Sequence, residues 1–136
     1  MRGLAIEDNL NLDDADFVMT IHTDIVLGDP TITGHAAFYV NKGFDQPTCP
    51  KILFFWYDTI CENRQAQVFW TEGIKSRSAT IFPARRCNSY EDFHRRLCDP
   101  RIPIGYMNPK ASANLTGKYY LNTFRVPPYA RGNDEP

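Results

Sequence analysis

The 136-residue chain has no Gly-x-Ser-x-Gly, and so lacks the strand-to-helix turn on which a nucleophilic serine is usually strained and exposed. Histidine is scarce, at three residues. Neither sign of charge dominates: 15 Lys and Arg against 16 Asp and Glu leave a net charge of −1. That balance gives no long-range field, and the doublets Arg85-Arg86 and Arg95-Arg96 are too short to supply one, so nucleic acid is excluded as a partner. No apolar stretch approaches the ~20 residues that cross a bilayer. Residues 1–16 are polar and acidic and do not read as a leader. The four cysteines contain no Cys-x-x-Cys and have no histidine placed as in a zinc site, which argues against bound metal. No cofactor is expected.

What is present is the composition of a folded domain, 43% hydrophobic and 13% aromatic, long enough for one modest core. Residues 17–24 (FVMTIHTD) are β-branched and apolar and read as a buried strand, broken by Gly28-Asp29-Pro30 and Gly34. Residues 35–40 (HAAFYV) form a second strand, ended by the turn signal Asn41-Lys42-Gly43. From Glu62 onward Ala66, Phe69, Trp70 and Ile74 fall at helical spacing, with Gly73 weakening or ending a helix of about three turns. Residues 79–83 are expected as a strand, 90–97 as a short helix and 118–124 (KYYLNTF) as a final strand. The proline- and charge-rich segment 127–136 is expected to be a mobile tail of a domain spanning 1–136.

Cys49 and Cys61, and Cys87 and Cys98, lie 12 and 11 residues apart, as disulfides do in small secreted domains. Four cysteines allow three pairings, and spacing alone does not choose. Asn114-Leu115-Thr116 is an N-glycosylation sequon, so the chain is expected to be extracellular with Asn114 as acceptor. His22, His35 and His94 read as structural residues, since none has an evident nucleophile partner. Glu7, Asp8, Asp13, Asp14 and Asp16 make an acidic N-terminus, but calcium wants oxygens converging from a defined loop, so a solvated acidic segment is the expectation. The longest apolar run is Ile52, Leu53, Phe54, Phe55, Trp56 and Tyr57. It reads either as a contact patch for lipid or a protein partner or as ordinary core, because a short run cannot be told from core by periodicity.

An ordered set of motifs over residues 10–132 resembles the C-terminal part of the catalytic domain of pancreatic-type lipases, including insect phospholipases A1. It comprises Asp14-Ala15, Phe17-Val18, Ile21-His22-Thr23-Asp24, Gly34-His35, Asn41, Gly43, Gln46-Pro47, Cys49-Pro50, Cys61, Cys87, Ser89-Tyr90, Cys98, Gly105-Tyr106-Met107 and Pro128-Tyr129-Ala130-Arg131-Gly132. The resemblance implies an α/β fold: the C-terminal portion of an α/β-hydrolase, a truncated sheet with flanking helices and two disulfide loops. It implies the pairs Cys49–Cys61 and Cys87–Cys98, with the first loop as a short lid that carries residues 52–57. It also implies a histidine in a Cys-x-His-x-Arg pattern after the lid, where this chain has Cys61-Glu62-Asn63-Arg64-Gln65. Asn63 stands at the histidine position and cannot act as a general base. Ala5 stands where the carboxylate motif leads, and the serine lies upstream of the region matched.

The expectation is therefore a secreted, non-catalytic relative that binds a protein partner, a second copy of itself or lipid. The alternatives are a segment of a triglyceride lipase or phospholipase A1, and a small secreted recognition protein using its aromatic loop.

Overall fold

Three strands of this chain lie parallel although no tight turn can join parallel neighbours, so the sequence between them must cross the sheet. In the computed structural model, residues 10–29, 31, 34–51 and 55–131 are described. Strand β1 (Met19–His22) pairs in parallel with β2 (Ala36–Val40), and β2 with β5 (Gly117–Leu121). Strands β3 (Pro83–Arg86) and β4 (Gly105–Tyr106) extend the sheet antiparallel beyond β5, giving the order β1-β2-β5-β3-β4. The crossover from β2 to β5 contains helix α1 (Phe55–Lys75), and the short helix α2 (Tyr90–His94) follows β3. This mixed sheet with few helices and two disulfide loops is that of a portion of an α/β-hydrolase sheet.

Each face of the sheet has its own core. Phe38, Val40, Tyr119 and Leu121 join Phe69 of α1, Phe82, Ala84 and Met107 in the larger cluster. Along β5 the neighbour Tyr120 points to the opposite face, as strand alternation requires, and meets Cys87 and Phe93 beside the second disulfide. On that face aromatic rings stack in register across three strands: His22 on Tyr39 at 4.7 Å between centroids, and Tyr39 on Tyr120 at 5.2 Å. Such cross-strand pairs are the unit of sheet stability. Burial raises the pKa of both Tyr39 and Tyr120, so the ladder carries neutral phenols.

The helix differs most from the expectation. It begins at Phe55, inside the first disulfide loop, rather than at Glu62, and runs 21 residues through Gly73. No proline or glycine interrupts residues 51–72, and Asp58 in the first turn suits a helix N-terminus, so nothing in the chain opposes the earlier start. Gly73 costs a helix about 1 kcal/mol relative to alanine. Here it packs closely on the Asn108–Pro109 turn, where an added Cβ would sit 3.5 Å from Pro109 Cδ. Ile74, expected on the apolar face, is 60% exposed. The expected strand 79–83 forms at Pro83–Arg86 instead: Phe82 takes a left-handed φ of 53° that turns the chain, and Pro83 opens the strand, where a missing N–H is tolerated. The final strand is confined to Gly117–Leu121, and the 90–97 helix to Tyr90–His94. At the start of the segment read as a tail, Tyr129 packs edge-on against Phe69 and Ala130 bridges to Thr123; residues 132–136 lie outside the described residues.

The turn into β2 requires glycine at position 34, because an ideal Cβ there would lie 2.3 Å from the carbonyl oxygen of Val18. That carbonyl accepts the Ala36 N–H that opens the β1–β2 ladder. Gly34→Ala is expected to lower the unfolding free energy by about 3 kcal/mol, read by urea denaturation at fixed disulfide content. A loss under about 0.5 kcal/mol would mean that this approach does not constrain the fold.

Candidate functional site

The turn after β2 builds a buried polar cluster where the carboxyl ends of the parallel strands meet α1. Asn41, Lys42 and Gly43 run through the left-handed region at φ 50°, 71° and 80°. Asparagine and glycine tolerate that region best. The sharp reversal folds Gln46 back under the sheet, where it is fully buried. Its side-chain amide donates to the carbonyls of Thr23, just past β1, at 3.0 Å and of Val40, at the end of β2, at 2.9 Å. Its Oε1 accepts from Asn41 Nδ2 at 2.8 Å, which also donates to Thr123 Oγ1 beyond β5 at 2.8 Å. The Thr123 N–H returns a bond to Asn41 Oδ1 at 2.9 Å.

The same cluster reaches α1 through a buried carboxylate. Glu62 accepts from the Gln46 N–H at 3.2 Å and from Lys51 Nζ at 3.1 Å. Lys51 also pairs with Asp45. Burial disfavours the Lys51 ammonium, but its hydrogen bonds to Asp45 and Glu62 outweigh that and raise its pKa, while the bond from Lys51 holds the Asp45 carboxyl below its usual range. Cys49 is bonded to Cys61 one residue before Glu62, and Cys87 to Cys98, the pairing that the resemblance implies.

Asn63 follows on α1 and is exposed, flanked along the helix by buried Glu62 and Gln65. Gln65, at the position where the resemblance implies arginine, is nine-tenths buried, and its Oε1 has no hydrogen-bond partner among the described residues. Its amide makes only a long 4.0 Å contact to Cys61 Sγ. The sheet-facing stripe of α1 is therefore Thr59, Glu62, Gln65, Phe69 and Gly73, polar over its first half. Residues 52–54 of the apolar run lie outside the described residues, and Phe55, Trp56 and Tyr57 are in the first turn of α1.

The histidines are not brought together. His22 is buried, bonds Thr20 Oγ1 at 3.2 Å and stacks on Tyr39. His35 Nδ1 accepts the Val18 N–H at 3.0 Å, and exposed His94 stacks on Tyr90. Asp13 and Asp14 lie in a short 3-10 turn in which Asn11 and Asp14 cap one another, while Glu7 and Asp8 lie outside the described residues. Asn114 is exposed. Sequence reasoning gave no role to the buried acids Asp24 and Glu62 or to half-buried Glu72. Asp24 accepts the Val26 and Leu27 N–H groups, and Glu72 those of Tyr129 and Ala130. The available signal was position: Glu62 and Glu72 fall at helical spacing with Phe69.

Comparison with known proteins finds a match between residues 2–129 and the family model described as Lipase. Lipase member H of Rattus norvegicus is 36% identical over 99 residues, which cover 71% of this chain and 21% of that protein. Lipase member H of Danio rerio is 38% identical over 97 residues, with the same coverage, 71% and 21%. Phospholipase A1 member A of Bos taurus is 33% identical over 97 residues, covering 69% and 21%. The chain thus spans about a fifth of the length of these relatives.

Replacing Gln65 by an apolar side chain of similar length removes a buried carbonyl oxygen that no described residue bonds, at the cost of only the long contact to Cys61 Sγ. Gln65→Met is expected to stabilise the chain by about 1 kcal/mol in chemical denaturation. Destabilisation of the same size would show that Oε1 has a partner in solution.

Proposed function

The chain belongs to the lipase family, and from that premise we propose that it is a lipase-like component without ester-hydrolase activity, acting by binding a partner or lipid. The observation that carries this reading is Asn63. It follows Cys61 by two residues on α1, where the resemblance implies the general base, and an amide neither takes nor gives a proton near neutral pH. The argument does not depend on what a longer protein carries elsewhere, since a serine and an aspartate supplied from other segments would still lack the base between them. His22 offers no replacement, because it and its neighbour Thr20 are each at least nine-tenths buried.

An extracellular setting fits both disulfides and the exposed sequon at Asn114. The partner surface in this reading is the outer edge of β1, which among the described residues pairs with β2 alone, together with the segment 52–57. An unpaired strand edge is a template for a further strand. A second reading, a segment of a triglyceride lipase or phospholipase A1, is favoured by the 21% coverage of the relatives, and in that setting Asn63 argues against turnover too.

The test is an ester-hydrolase assay on the native protein with p-nitrophenyl butyrate and a mixed-micelle phospholipid, with calcium and detergent supplied. No turnover above a heat-treated control is expected, and Asn63→His in the isolated chain is expected to remain inactive because a base without a nucleophile is inert. Turnover that a serine-directed inhibitor abolishes would overturn the reading. The native mass separates a free-standing component from a segment of a longer enzyme.

A further inference from the structure

Outside the carboxyl ends of β2 and β5 lies an open cleft of about 330 Å³ in which three cations from separate parts of the chain converge: Lys42, Arg125 and Arg131. In open α/β sheets ligands bind at this end of the strands. Lys42 Nζ lies 5.6 Å from the Tyr90 ring centre, and the Arg131 guanidinium 5.6 Å from that of Phe124. Lys42 and Arg131 thus each lie over an aromatic ring. Among the described residues none of the three is in an ion pair, and the one acid lining the cleft, Asp45, is bound to Lys51.

The backbone that carries these groups is fixed by buried bonds. Lys42 sits between Asn41 and Gly43 in the left-handed turn, and Asn41 is bonded to Thr123 on both sides of its amide. Thr123 leads into Phe124 and Arg125. The Phe124 N–H donates to the Tyr129 carbonyl at 2.8 Å, which brings Arg131 alongside, and the Arg125 carbonyl accepts from Thr48 Oγ1 at 2.8 Å. Three cations outside any ion pair among the described residues, two with the planar fork that fits phosphate oxygens, thus surround a space lined also by Pro47, Tyr90 and Phe124. The Asp45 carboxylate, already paired with Lys51, is the one acid there, close enough to Lys42 to feel its charge.

We propose that this cleft binds a phosphate ester, with its oxyanion among Lys42, Arg125 and Arg131 and its organic part against Tyr90 and Phe124. The site is independent of Asn63 and of whether the chain hydrolyses esters. The phosphate can be carried by a soluble molecule or by a phospholipid headgroup, and the experiment distinguishes them.

Phenyl phosphate is titrated into the 136-residue chain and followed by amide chemical shifts. In parallel, the chain is floated with phosphatidylcholine vesicles, with and without phosphatidic acid. Saturable shifts at residues 42, 90, 124 and 131 are expected, with Arg131→Gln and Lys42→Gln each weakening the affinity about tenfold or more, and Arg77→Gln, an exposed cation outside the cleft, leaving it unchanged. Flotation only with phosphatidic acid, lost in the same variants, identifies a headgroup. Binding of phenyl phosphate without flotation identifies a soluble ester. Should Lys42→Gln fail to fold, Arg125→Gln replaces it, since the bond from Thr48 uses the Arg125 main chain. Absence of saturable binding to both probes, or an equal loss in Arg77→Gln, overturns the proposal.

Discussion

The side chain of Gln46 is the constraint around which the rest is arranged. One buried amide bonds the main chain past β1 and at the end of β2, receives Asn41 and through it reaches Thr123 past β5, while its own N–H bonds Glu62 of α1. All three parallel strands and the crossover helix meet at that residue. Each such bond contributes about 1 kcal/mol net, but a buried partner left unmade costs about 1–3 kcal/mol, so the cluster acts as a unit rather than a sum. It also closes the base of the disulfide loop, because Gln46 and Glu62 lie just outside Cys49 and Cys61 in sequence.

A division of labour between the two ends of α1 follows. Its later half meets the sheet through Phe69, in the larger apolar core, and through Glu72, which holds the chain at 129 and 130. Its earlier half faces inward with Thr59, Glu62 and Gln65. Gln65 Oε1, the one buried side-chain atom without a hydrogen-bond partner among the described residues, sits one helical turn beyond Cys61 and two residues after Asn63. In this lipase-family chain the polar cluster beside α1 is well bonded, while Asn63 and Gln65, at the histidine and arginine positions of the pattern that the resemblance implies, are neutral amides.

Much of this was legible in the sequence. The β-branched apolar run 17–24 and the turn signals around 35–40 marked β1 and β2 to within a few residues, because both strands are bounded by turn residues whose conformational demands are local. The disulfide partners were legible only through the family resemblance, since spacing left three pairings open. The start of α1 was not legible: an apolar run of six residues satisfies strand, core and helix alike, and the deciding factor was the absence of any breaker up to Gly73. The polar cluster was visible only as the motif positions Asn41, Gly43 and Gln46. Their bonds span up to 82 residues, and no local pattern encodes a partner at that separation. The three cations of the cleft were hidden for the same reason, being scattered at 42, 125 and 131 in a chain of balanced charge.

The most direct test of this account is the unfolding free energy of Gln46→Met, which keeps the volume but removes every side-chain hydrogen bond of the cluster's central residue. A loss of about 4 kcal/mol or more is predicted, with faster amide exchange at the ends of β1, β2 and β5 together, since several buried groups lose partners at once. A change under about 1 kcal/mol, with both disulfides formed and exchange unaltered, would contradict the claim that the fold depends on this residue.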